Sequence, residues 1–277
     1  MITETIDLYE YFALKKPDGA RGILSVICHG HRSDLPEDRK RSAMLILPGG
    51  GYMYVSPREA EPVAYEYLRH GINCFILDYS VAPGFKFPTQ LIEAAMAMIF
   101  IRENADKYMV DKNHLSAIGF SAGGHLAGCL GTLFACEELD FLRNRELIRP
   151  DAVLLCYPVT YYRDENSKTH LGSFQAVSGN DEQLMRRLSI DTCIKNDSSP
   201  AFIWHTVEDT CVPVYGTLVT AKAYYEAGVP FELHVFEKGV HGLSVCTLET
   251  EGINAEDRVW IECSVNWLKL QGFTLYS

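Results

Sequence analysis

Short runs of aliphatic and β-branched residues recur along the chain, separated by longer stretches whose apolar positions follow helical spacing. Ile23–Cys28, Ala43–Leu47, Ile72–Leu77, Leu115–Gly119, Val153–Tyr157, Ala201–Trp204 and Phe231–Phe236 read as strands. Helices are expected near Thr89–Tyr108, Ala122–Cys136, Val214–Ala227 and Ala255–Leu270. In the last of these Trp260 and Trp267 fall two helical turns apart, on one face, and are expected in the core. Apolar strands that alternate with helices predict a parallel sheet covered on both faces. The more polar residues 1–40 predict antiparallel edge strands and a loop around Arg32 to Arg41. The expected fold class is α/β, a mostly parallel, doubly wound sheet.

No repeat, low-complexity tract or long linker divides the sequence, so residues 1–277 are expected to form one domain. The rhythm breaks at about 158–199, rich in Ser, Asn and Asp, with a helical piece near Glu182 to Ile190. An excursion at the C-terminal edge of such a sheet is where a substrate-covering cap would sit. The alternative is a surface elaboration without a role in binding.

Composition narrows the function by exclusion. A net charge of −11 argues against nucleic acid and against anionic membrane surfaces as partners. No apolar run approaches the roughly 18 residues that span a bilayer, and the acidic start Met1–Asp7 does not resemble a signal peptide. Nine cysteines without a Cys-x-x-Cys pair suggest reduced, mostly buried thiols in a cytoplasmic protein. Cys28-His29-Gly30-His31 has metal-ligating residue types, but no second cluster accompanies it, so no metal is expected.

The chemistry lies in Gly119-Phe-Ser-Ala-Gly123, the one Gly-x-Ser-x-Gly in the chain, between an expected strand and an expected helix. A nucleophile on so sharp a turn leaves no room for side chains two positions to either side. The helix that follows offers a free N–H and a positive dipole end to a developing oxyanion. In an architecture of this kind the acid and then the base follow the serine. His234 falls inside a strand, whereas His241 lies in the glycine-flanked loop after it, and a base must reach the nucleophile from such a loop. Asp209 directly follows the strand Ala201 to Val207 and is the leading acid, with Glu208 and Asp164 as rivals. Its alternative role is to cap the next helix. Three glycines in Leu47-Pro-Gly-Gly-Gly-Tyr52 allow backbone N–H groups to turn toward a reacting carbonyl. Gly50 and Gly51, with Ala122, are the candidate oxyanion hole; the alternative is a flexible turn.

Taken in order, PGGGY, then DYSVAP at Asp78 to Pro83, GFSAGGHLA, EDTCVP and GVHGLS resemble the bacterial acetyl-esterase branch of the α/β-hydrolases. They are similar also to hormone-sensitive-lipase-like enzymes and to acetyl-xylan and sugar esterases. The resemblance spans roughly Ala43 to Ser244. Pro48 stands where lipase-like members carry His, and Ser80 where they commonly carry Arg; both departures favour the sugar-ester side. The resemblance implies small acyl groups, often acetyl, on an alcohol or carbohydrate, and no cofactor.

Tyr52, Tyr54 and His125 are candidate substrate contacts: the tyrosines follow the glycine loop, and His125 lies one helical turn beyond Ser121. Packing is the alternative for all three. Ser56-Pro-Arg-Glu59 reads as a helix start with Glu59 completing a capping box. The expected function is that of a serine carboxylic-ester hydrolase acting on small-molecule esters, with a homodimer compatible with the sequence. A peptidase or thioesterase of the same fold, or a non-catalytic ligand-binding protein on the same scaffold, is the alternative.

Overall fold

The computed structural model describes residues 1–31, 39–163, 170–250 and 258–276. Eight strands form one sheet: β1 (Ile2–Asp7), β2 (Ile23–Cys28), β3 (Arg41–Leu47), β4 (Asn73–Asp78), β5 (Val110–Phe120), β6 (Ala152–Cys156), β7 (Ala201–Thr206) and β8 (Phe231–Phe236). Their spatial order is β1-β2-β4-β3-β5-β6-β7-β8. β1 and β2 pair antiparallel at one edge, as the polar start of the chain predicts, and β4 through β8 run parallel.

Alternation along each strand explains why both faces are dry. Leu45, Phe75, Ala117, Leu155 and Ile203 point to one face, under α3 (Thr89–Glu103), α4 (Ala122–Thr132) and α8 (Val214–Ala227). Met44, Ile46, Cys74, Ile118, Leu154, Phe202 and Trp204 point to the other, under α2 (Glu61–Arg69) and α9 (Val259–Leu270). Each of the larger side chains contributes roughly 1.5–3 kcal/mol by leaving water. Trp260 and Trp267 are buried as expected, and Trp260 stacks on Trp204 with centroids 5.0 Å apart. The remaining helices are the short α1 (Leu8–Tyr11), and α5 (Leu171–Ser178), α6 (Glu182–Arg187) and α7 (Ile190–Cys193) in the excursion between β6 and β7. Among the described residues no helix is long and apolar enough to cross a membrane.

Several boundaries differ from expectation. Helix α3 stops at Glu103, and Met109 turns the chain at φ 53° into a strand that starts five residues before Leu115. α4 ends at Thr132, four residues short of Cys136. The helix expected across Glu182–Ile190 breaks into α6 and α7 at Leu188–Ser189. α2 begins later than the helix start expected at Ser56–Glu59: Pro57–Glu59 forms a separate 3₁₀ turn, and Pro62 falls in the first turn of α2, where its missing N–H costs nothing. Most of the expected loop at Arg32–Arg41, and the expected start of the last helix at Ala255, lie outside the described residues.

The centre of the sheet sets up the turn after β5. A Cβ on Gly119 would lie 2.0 Å from the Gly123 carbonyl oxygen, and one on Gly123 would lie 2.0 Å from that of Leu47. All the nearby atoms are backbone, from the first turn of α4 and from the end of β3 and the residue after it, so no side chain can give way. Gly119→Ala is therefore expected to lower stability by about 3 kcal/mol or more, read as a fall in the urea midpoint. A midpoint within experimental error of the wild type would show that the turn is looser than these contacts imply.

Candidate active site

The strand β5 ends at Phe120 and α4 begins at Ala122, so the whole reversal falls on Ser121 at φ 54°, ψ −117°. Neighbouring backbone satisfies this residue. Its N–H donates to the Cys156 carbonyl at 3.0 Å, and its own carbonyl accepts from Val159 at 3.1 Å. The hydroxyl is thereby free to turn toward the loop after β8, where His241 Nε2 lies 2.8 Å from Ser121 Oγ. His241 Nδ1 lies 2.6 Å from Asp209 Oδ2. A carboxylate only accepts, so Nδ1 carries the ring hydrogen and Nε2 is left to accept from the serine hydroxyl.

Asp209 sits just past β7 with a fully buried side chain. Its Oδ1 accepts from the Cys211 and Val212 amides at 2.9 and 2.8 Å, and its Oδ2 also faces His205 Nε2 at 3.1 Å. Burial pushes the carboxyl pKa up, but the His205 and His241 hydrogen bonds, with the charge on His241 and the Val212 amide, outweigh it. Asp209 is held below the usual carboxylate range. It closes a turn rather than capping α8, whose N-cap is Pro213. The rival Glu208 points outward to Lys238 at 2.7 Å, and Asp164 lies outside the described residues. His234 stays in β8, 2.7 Å from Glu232.

Gly50 and Gly51 line a pocket of about 250 Å³ together with Ser121, His241, Tyr54 and His170. Gly50 has φ +118°, and a Cβ there would lie 2.2 Å from the Tyr54 carbonyl oxygen, so the loop can close only with glycine. Among the described residues the N–H groups of Gly50, Gly51 and Ala122 have no acceptor. The third belongs to the first turn of α4, where the helix dipole also favours negative charge.

Three expectations need correction. Tyr52 does not present its ring to a substrate: at φ 63° the chain throws it inward, and it is buried. His125 is not at a rim but fully enclosed, with Nε2 2.8 Å from the Leu188 carbonyl and Nδ1 2.7 Å from the Tyr52 hydroxyl. Burial, only partly offset by the Leu188 bond, pushes its pKa down to about 4, so the neutral ring donates through Nε2 and accepts from Tyr52. Together the two residues fasten the glycine loop to α4 and to the excursion between β6 and β7. The capping box is absent. Ser56 makes no capping bond, Pro57–Glu59 is a 3₁₀ turn, and Glu59 is buried. Tyr54, by contrast, is half exposed and lines the pocket.

Glu59 is the residue that sequence reasoning assigned to the wrong task. Its Oε2 accepts from the Gly49 N–H at 2.8 Å and its Oε1 from the Tyr157 hydroxyl at 2.7 Å. The Tyr157 oxygen in turn accepts from the Ser244 N–H at 2.9 Å, while its ring meets His241 edge-on at 5.1 Å. One carboxylate thus joins the glycine loop to the His241 loop. Ser80, one of the two departures from the lipase-like pattern, is buried and donates through N and Oγ to Glu93. His29 is committed to the Leu68 carbonyl at 3.0 Å, and among the described residues no group of three or more His, Cys, Asp or Glu side chains is placed to hold a metal ion.

A family model described as BD-FAE matches residues 34–222. Endo-1,4-beta-xylanase B of Butyrivibrio fibrisolvens is 36% identical over 220 residues, which covers 77% of this chain and 34% of that protein. The acetylxylan esterase of Xylanibacter ruminicola is 28% identical over 222 residues, covering 77% of this chain and 43% of that one. The chain thus spans between about a third and less than half of the length of these relatives. The crystal structure of an acetyl ester-xyloside bifunctional hydrolase from Caldicellulosiruptor lactoaceticus is similar over 98% of this chain and 97% of that one, with a TM-score of 0.84 and 31% identity. The fold is that of the α/β-hydrolases.

Glu59→Gln keeps the shape of the strut but puts an amide donor against one of two donors. Turnover is expected to fall about tenfold or more while KM changes less than about threefold, measured by steady-state kinetics on a small ester. A proportional rise in KM with unchanged kcat would instead place Glu59 in ground-state binding.

Proposed function

Because the chain belongs to the BD-FAE family, we propose that it is a serine carboxylic-ester hydrolase removing acetyl-type acyl groups from alcohol or carbohydrate esters. The observation that carries this reading is the continuous line Ser121–His241–Asp209, at 2.8 and 2.6 Å, beside three amides that have no acceptor among the described residues. Ser121 Oγ attacks the ester carbonyl as His241 Nε2 takes its proton. The carbonyl oxygen becomes an oxyanion received by the amides of Gly50, Gly51 and Ala122. The tetrahedral species collapses, the leaving alcohol takes the proton from His241, and an acyl-Ser121 remains. Water, activated by the same histidine, releases the acid. Asp209 holds the imidazole tautomer and stabilises its charged form without taking the proton.

Site dimensions support a small acyl group. The pocket at Ser121 holds only about 250 Å³, while an adjoining groove of about 1070 Å³ shares Tyr54, Ser56 and Arg58 with it and continues to Glu61 and Tyr65. That division suits a short acyl chain on a larger, polar alcohol. The names of the two xylan-related relatives and of the acetyl ester-xyloside hydrolase support a sugar as that alcohol. The excursion at 158–199 supplies His170 to the pocket, which supports a cap role for it. Nine free cysteines, most of them buried, support residence in the cytoplasm.

Hydrolysis of p-nitrophenyl acetate, butyrate and octanoate by wild type and Ser121→Ala tests the proposal, with acetate release from acetylated xylo-oligosaccharides as the test of the alcohol. Rates are expected to fall with chain length and to drop about 10⁴-fold or more in the variant. A variant retaining a tenth of the activity would remove Ser121 from the mechanism, and fastest turnover of octanoate would remove the short-acyl assignment.

A further inference from the structure

His205 is the penultimate residue of β7 and is wholly buried. Its Nε2 lies 3.1 Å from Asp209 Oδ2 and 2.9 Å from the Val212 carbonyl oxygen. Both neighbours only accept, so Nε2 must carry a hydrogen that they share. On the other side of the ring, Nδ1 lies 2.7 Å from the Thr217 hydroxyl of α8. A hydroxyl can donate to a neutral ring or accept from a charged one, so either protonation state of His205 leaves the Nε2 hydrogen directed at Asp209. Asp209 Oδ2 therefore serves two imidazoles, while Oδ1 is filled by two amides.

We infer that His205 is a positioning residue of the triad, whose Nε2–H fixes the Asp209 carboxylate and draws off part of the charge that Oδ2 presents to His241. The inference rests on the triad reading given above. Its consequence follows from electrostatics in a buried site. When Ser121 gives up its proton, the charged His241 ring leans on Oδ2. With the His205 donor removed, the negative charge concentrates on that oxygen, the charged ring is held more tightly, and the base keeps its proton to higher pH. The acidic limb of the kcat/KM profile then moves up.

Other groups face the same pair. His170 approaches from the excursion between β6 and β7, and its own burial pushes its pKa down. Cys211 lies in the Asp209 turn, Tyr157 meets His241 from β6 with Glu59 behind it, and Arg58 lies beside Gly242. Among the described residues none of these side chains donates a hydrogen bond to Asp209, and none is altered in the test.

Two amide substitutions separate the donor from the bulk of the ring. The Asn amide falls at the place of Nδ1, within reach of Thr217 but short of Asp209; the Gln amide reaches the place of Nε2. His205→Asn is expected to raise the acidic limb of kcat/KM by about one pH unit and to lower plateau kcat about tenfold, with KM little changed. His205→Gln is expected to bring the limb back to within about 0.3 unit of wild type. Active sites are counted by fluorophosphonate titration, so a loss of folded protein lowers the count without moving the limb. A limb that moves in neither variant, moves equally in both, or moves only with Gln overturns the inference. An active Ser121→Ala enzyme would show that the triad reading had failed; an inactive one, with an unmoved limb in His205→Asn, would show that only the role of His205 had failed.

Discussion

The backbone at Ser121 is the constraint to which the rest of the site is fitted. A residue with a Cβ at φ 54°, ψ −117° is strained by about 1–3 kcal/mol, and it persists only where its surroundings leave no alternative. Here they leave none. Gly119, Gly123 and Leu47 approach so closely that only glycine fits at the first two, and the Ser121 peptide groups are already bonded to β6 and the segment after it. β5 lies in the interior of the sheet with β3 and β6 on either side, and its end from Leu115 to Phe120 is buried, so the strain is borne by the core of the molecule. In return the turn pushes the hydroxyl toward His241 and leaves the first amide of α4 without an acceptor among the described residues. The proposed nucleophile and the proposed oxyanion donor are two results of one backbone geometry.

Buried carboxylates hold the segments around that turn. Glu59 joins the glycine loop to Tyr157, whose oxygen holds the His241 loop, Asp209 gathers two imidazoles and two amides, and Glu93 ties Ser80 and Tyr9 to α3. A carboxylate out of water is costly unless every lone pair has a donor. Each of these groups therefore fixes the loops that supply its donors, since any loop that withdrew would leave a charge unpaired. That is a stronger positional constraint than apolar contact, which tolerates sliding, and it suits loops that must hold amides and an imidazole to within fractions of an ångström. His125 does the same with neutral groups, joining Tyr52 of the glycine loop to Leu188.

The sheet was legible because its interior strands are buried on both faces and so read as unbroken apolar runs, such as Ala43–Leu47 and Val153–Tyr157. The line of Ser121, Asp209 and His241 could be traced because each residue ends or follows a strand whose position the pattern had already located. What was not legible depends on partners distant in sequence. The local pattern Ser56-Pro-Arg-Glu59 matches a capping box, and nothing within ten residues announces that Glu59 instead meets Tyr157, 98 positions away. Tyr52 and His125 looked like rim residues for the same reason, because their mutual bond spans 73 positions. His205 left a readable trace: a polar ring in the apolar strand Ala201–Thr206, four residues before an aspartate. A strand that dry predicts a buried, hydrogen-bonded histidine, and of the two carboxylates that follow within four residues it is Asp209 that it meets.

Covalent catalysis at Ser121 is the claim on which every assigned role depends. It is tested most directly by rapid acid quenching of the enzyme during turnover of an acetyl ester, followed by peptide mass mapping. The geometry predicts one acetyl group on the peptide containing Ser121, formed within the first turnover and absent from Ser121→Ala. Sustained hydrolysis with that peptide unmodified, or with the acetyl group on another residue, would contradict it.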